Sequence, residues 1–167
     1  IAFEEGHEAG WHVILGENGA GKSSTIQALG YGLLGANTAR SLTIKLRDWI
    51  RSGTKESQIW LEIEKHDLDR ATGSGRGKRQ GAFELGLSIT PLNGEWAKAE
   101  VIEDEFAGVA ESMLWGENSG WFSAGFGPFR RFYGGDQTLN RVFHADPRAA
   151  GHLSLFWEAA ELQESLI

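Results

Sequence analysis

Residues 16–23 read Gly-Glu-Asn-Gly-Ala-Gly-Lys-Ser, with two glycines, a lysine and a hydroxyl at the GxxxxGK[ST] offsets of a phosphate-binding loop. Each position has a physical task. Gly16, Gly19 and Gly21 permit turns that a Cβ would hinder, so that successive N–H groups can converge on an anion. Lys22 supplies a point charge for the β- and γ-phosphates of a triphosphate, and the Ser23 hydroxyl stands where Mg²⁺ would be coordinated. A helix starting here would aim the positive end of its dipole at the same anion. At average residue usage the pattern arises by chance in a chain of this length about one time in a hundred, so nucleotide binding is the leading expectation.

Such a loop must be held between a strand and a helix. Trp11–Leu15 is a short apolar, β-branched run that predicts a buried strand leading into it. Ser23–Leu34 predicts the helix, with Ile26, Leu29, Leu33 and Leu34 on one face and Gly35 at its end. Leu42–Ile50 reads as a short helix ending at 51–53. Residues 57–66 alternate, with Ile59, Leu61 and Ile63 on one face and Trp60, Glu62 and Glu64 on the other. Residues 82–90 alternate again, Pro91–Gly94 is a turn, and 96–104 is a third strand, which together make an antiparallel meander. Residues 120–126 read as a further strand. Leu153, Phe156, Trp157, Ala160 and Leu166 give 151–166 helical spacing. The expected fold class is α/β, a phosphate-loop strand and helix packed on an antiparallel meander.

Composition narrows the function classes. The chain has 167 residues, 41% hydrophobic and 23% charged, enough for one packed domain. Its net charge of −7, from 23 acidic and 16 basic residues, argues against a general nucleic-acid coat but not against a local basic patch. No apolar run approaches the ~20 residues that span a bilayer. The absence of cysteine excludes disulfides and thiolate metal sites and sets a reducing, cytoplasmic location as the expectation. His7, His12, His66, His144 and His152 are scattered, without metal-ligand spacing. The chain opens on Ile1, which suggests an incomplete sequence: a nucleotide-binding lobe over 1–145 and the start of a helical segment over 146–167.

A helix followed by an antiparallel meander, instead of by repeated βαβ units, is the order found in one branch of phosphate-loop proteins. Gly16–Ser24 resembles the loop of ABC-type ATPase heads of the SMC, RecF and SbcC-like branch, and Trp49–Gly53 with the strand from Ser57 resembles the stretch that follows in those heads. Ser123–Arg131 is similar to a segment of AAA-type ATPases of bacterial anti-phage systems such as Septu and retron-associated ATPases. The likeness implies a P-loop NTPase N-terminal lobe with ATP and Mg²⁺ as cofactors. Gly16, Glu17, Asn18, Gly19, Ala20, Gly21, Lys22, Ser23 and Ser24 would hold the nucleotide, Ser23 the Mg²⁺ and Ser24 the α-phosphate. It further implies that ATP binding joins two heads, a homodimer being the simplest case, that hydrolysis separates them, and that the work is done on DNA in repair or defence.

Several of the family's parts do not stand in this chain. No glutamine occupies the expected Q-loop position near 126–131, and Gln137 is the nearest substitute or else a surface residue. Val101-Ile102-Glu103-Asp104-Glu105 has two apolar residues before its acids where a Walker B strand needs four, and reads better as a solvated strand end. Tyr133–Gln137 is a poor imitation of the signature motif. The chain is therefore expected to bind ATP better than it hydrolyses it. A non-catalytic nucleotide sensor and a transporter-type cassette are the alternatives. Arg70, Arg76, Lys78 and Arg79 lie in one glycine-rich loop that is either a DNA-backbone contact or a solvated hairpin tip. Arg130 and Arg131 divide between a γ-phosphate or DNA contact and ordinary ion pairs. Of the seven tryptophans, at least five are expected in the core, with Trp11 and His12 near the adenine.

Overall fold

The computed structural model describes residues 9–39, 42, 44–64, 82–94, 96–102, 114–115, 122–128 and 146–158. These form a mixed α/β arrangement. Helix α1 (Lys22–Leu34) is followed by a single turn, α2 (Ala36–Ala39), and a 3-10 turn at Leu46–Trp49. Strands β1 (Ser57–Glu64), β2 (Ala82–Pro91) and β3 (Ala97–Val101) come next, and helix α3 spans Pro147–Phe156.

The three strands form one antiparallel sheet in the order β1-β2-β3. Ile59 lies opposite Leu87 and Leu61 opposite Leu85, while Ile89 faces Ala99 on the other side. The alternation read from β1 holds: Ile59, Leu61 and Ile63 are half-buried and Trp60, Glu62 and Glu64 exposed. The turn after Pro91 closes as expected, with Leu92 N–H donating to Trp96 O at 2.8 Å and Gly94 at φ +77°. Central strand β2 supplies the most deeply buried side chains, Leu87 and Ile89, which pack with Tyr31 and Leu34 of α1 and Leu153 of α3.

Helix α1 buries only the C-terminal part of the face that its apolar spacing predicts, with Leu34 buried and Leu33 half-buried. Ile26 and Leu29 are 43 and 46% exposed, whereas Tyr31 and Leu34 are buried. The helix is turned by aromatic packing, since the Tyr31 ring meets Trp49 edge-on with centroids 5.5 Å apart. It ends at Gly35, whose φ of +79° and contact with the Trp115 indole leave no room for a side chain.

Three further expectations change. Trp11–Leu15 carries no strand assignment, and Trp11, Val13 and Leu15 are 102, 78 and 86% exposed. A strand exists only with a neighbour to complete its ladder, and the described sheet contains β1, β2 and β3 alone. Residues 122–128 likewise carry no strand assignment; Gly125 N–H donates to Gly151 O in α3. The last helix begins at Pro147, not 151, because Asp146 caps it by accepting from Arg148 N–H and Ala149 N–H, and it ends at Phe156.

The tryptophans are also more exposed than expected. Of the six in described segments, Trp11, Trp60 and Trp96 are exposed and Trp49, Trp115 and Trp157 half-buried. Trp60 lies on the outer face of β1, where its indole covers its cross-strand partner Gly86.

His152 on α3 is buried, and its Nδ1 lies 3.1 Å from Arg148 O, which requires an Nδ1–H donor. Burial draws its pKa below the ordinary 6.5, and the hydrogen bond to the Arg148 carbonyl opposes this. The unfolded chain therefore binds more protons than the folded one near this site. Its contribution to stability is complete above 6.5 and diminishes as pH falls from there toward the lowered folded value. In urea titrations from pH 7.5 to 5.0, His152→Gln should show a shallower loss of stability than the parent. Leu87→Ala should cost about 2–5 kcal/mol at every pH by opening a cavity under the sheet.

Candidate phosphate-binding loop

The loop expected to hold phosphate lies directly before α1. Gly19 and Gly21 stand at φ +83° and +86°, in the left-handed region. Gly21 is the N-cap of α1 and makes no side-chain cap, so the first-turn N–H groups are left for another acceptor. Ala20 N–H donates to Glu17 O at 3.2 Å and Thr25 N–H to Gly21 O at 2.9 Å, which closes the turn onto the helix. A Cβ built at Gly19 or Gly21 would meet nothing within 4 Å. Glycine is thus required there by backbone conformation, and the space beside the loop is open.

Lys22 is folded back over this turn. Its Nζ donates to Gly16 O and to Glu17 O, both at 2.7 Å. The ammonium is thereby held above the loop by two carbonyls, which are weaker partners for it than phosphate oxygens. Ser23 and Ser24, in the first turn of α1, are exposed, as are Glu17, Asn18 and Ala20. The nine residues from Gly16 to Ser24 form a largely solvent-facing surface, with Gly21 and Lys22 half-buried.

This surface fits a Mg²⁺-bound polyphosphate. Left-handed glycines, uncapped N–H groups, an ammonium and a hydroxyl are the donors such an anion needs. No group of three or more His, Cys, Asp or Glu that could hold a metal occurs among the described residues. Mg²⁺ would then rely on phosphate oxygens, water and Ser23, which is its usual manner of binding.

Apart from Trp11 and His12, the described residues include none of the other expected site residues. Gln137, Arg70, Arg76, Lys78, Arg79, Arg130 and Arg131 lie outside the described residues, as do the acids Glu103, Asp104 and Glu105. Val101, just before those acids, ends β3, and Ile102 N–H continues the pairing by donating to Gly86 O at 2.9 Å. Trp11, expected near a base, projects fully into solvent. No helix among the described residues is long and apolar enough to cross a membrane. A pocket between α1, the 3-10 turn and α3, lined by Gln27, Asp48 and Trp49, was not anticipated, because its walls come from three distant segments. The chain matches no family model, no curated protein and no solved structure.

Because Gly21 holds a positive φ at a helix start, Gly21→Ala should destabilise the fold by about 1–2 kcal/mol in urea. Ala20→Gly, at a neighbouring exposed position, should change stability by under about 1 kcal/mol.

Proposed function

We propose that the chain is the ATP-binding lobe of a P-loop ATPase of the SMC/RecF/SbcC-like kind. The observation that carries this reading is the Gly16–Ser24 loop: two left-handed glycines, an uncapped helix start and an ammonium hydrogen-bonded over the turn. ATP·Mg²⁺ binds with its β- and γ-phosphates on the backbone N–H groups and Lys22, and with Ser23 on the metal. The Lys22 ammonium exchanges its two carbonyl partners for phosphate oxygens, so the charge is positioned before the nucleotide arrives.

Hydrolysis requires a carboxylate beside the γ-phosphate to hold the metal and orient water. The acids at 103–105 follow an antiparallel strand of the meander, which supports the reading of a strand end over that of a catalytic strand. The chain on its own therefore binds nucleotide without turning it over. Turnover needs a second lobe or head, a homodimeric partner being the simplest, and coupling to DNA in repair or anti-phage defence is the role that the resemblance suggests.

Calorimetric titration with ATP·Mg²⁺, with phosphate release followed in parallel, tests the proposal. The parent chain should bind without releasing phosphate. Lys22→Ala should weaken binding at least tenfold, with little effect on stability because the side chain bonds only exposed carbonyls. Binding indifferent to Lys22 would overturn the reading, and Lys22-dependent turnover would show that a catalytic acid lies within the chain.

A further inference from the structure

A hollow of about 210 Å³ opens where α1, the 3-10 turn and the end of α3 meet. Gln27, Lys45, Asp48, Trp49, Phe156 and Trp157 line it. The phosphate loop uses none of them. Its position along α1 links it to that loop. Gln27 follows Ser23 by four residues and Ser24 by three, so all three share a helix face, with the Gln27 Cα about 5 Å further along the helix axis. A nucleotide whose phosphates sit on the loop must send its sugar and base away from it, and this is the recess next along that face.

The chemistry of the walls is selective. The Trp49 and Phe156 rings are stacked at 6.4 Å and 30°, giving an aromatic wall suited to a flat ring. Two donors in the lining are already engaged: Gln27 Nε2 donates to Leu155 O at 3.0 Å, and Trp157 Nε1 to Leu42 O at 2.7 Å. The Gln27 carboxamide oxygen and the Asp48 carboxylate remain as acceptors, with the Lys45 ammonium as a donor. An aromatic wall rimmed by acceptors matches a flat heterocycle that carries an exocyclic amine.

We propose that this hollow is the base subsite of the nucleotide held at Gly16–Ser24, and that it selects a purine with an exocyclic amino group through Asp48 and Gln27. The assignment rests on the phosphate-loop reading, and its test separates the two.

Magnesium complexes of ATP, inosine triphosphate and inorganic tripolyphosphate would be titrated calorimetrically into the parent chain, Asp48→Ala and Lys22→Ala. Inosine triphosphate keeps the purine frame and phosphates of ATP but carries a 6-oxo acceptor in place of the amine and a proton on N1, and tripolyphosphate lacks the base. The parent should bind ATP roughly tenfold more tightly than inosine triphosphate, the effect of one hydrogen bond to a charged acceptor. Asp48→Ala should remove that difference and leave tripolyphosphate binding unchanged. ATP should also quench tryptophan emission, and the quench should shrink in Trp49→Phe. Equal binding of all three ligands, an ATP-to-inosine ratio unaltered by Asp48→Ala, or equal weakening of all three by that variant would overturn the base subsite. The loop reading would survive each of these results provided Lys22→Ala abolishes binding. If tripolyphosphate and both nucleotides fail to bind the parent chain, the loop reading falls and the subsite with it.

Discussion

Trp49 is the residue through which the separate elements hold one another. Its ring meets Tyr31 of α1 edge-on and stacks with Phe156 at the end of α3. Its carbonyl accepts the Ser57 hydroxyl at 2.7 Å, where β1 begins. One residue on a four-residue 3-10 turn thus joins two helices through its indole and the first strand of the sheet through its carbonyl. The arrangement is tight because aromatic rings bury large areas with few rotatable bonds, and edge-on contacts constrain direction as well as distance. Moving Trp49 would release the rotation of α1 and, with it, the direction in which the loop before α1 faces.

That dependence explains how an exposed loop can still have a defined shape. Downstream, the loop continues into a helix anchored by Tyr31 and Leu34 in the core. Within the loop, the conformation is set locally by Gly19 and Gly21 and by the short bonds from Lys22 to Gly16 O and Glu17 O. Shape therefore comes from one anchored end and from backbone conformation, with little contribution from side-chain burial.

The sequence disclosed those features whose cause is local. The alternation of Ile59, Leu61 and Ile63 identified β1, the Pro91–Gly94 turn identified the hairpin, and the glycine spacing located the loop. Asp146-Pro147 is an equally local signal for the start of α3 that the reading from apolar spacing missed. Features that depend on distant neighbours were not legible. The apolar face assigned to α1 holds at Leu33 and Leu34 but not at Ile26 and Leu29, because Tyr31 is drawn toward Trp49, eighteen positions away. Trp96 looks like a core residue by type, yet it stands exposed just before β3. The burial expected for Trp11–Leu15 presupposed flanking strands that the described sheet does not provide. The hollow around Gln27 joins residues 27, 48 and 157, whose proximity no spacing rule reveals.

The uneven anchoring of the loop has an energetic meaning. Backbone amides of β2 lie between two paired strands over a buried face, the setting in which amide exchange with solvent requires global unfolding. The exposed apolar arm from Trp11 to Leu15 shares none of that burial, so it can open while the core remains intact. On the proposed reading, an anion settling on the loop would have to supply the ordering free energy of this arm from its own contacts. A neighbour that covers Trp11, Val13 and Leu15 would remove that penalty without touching the phosphate.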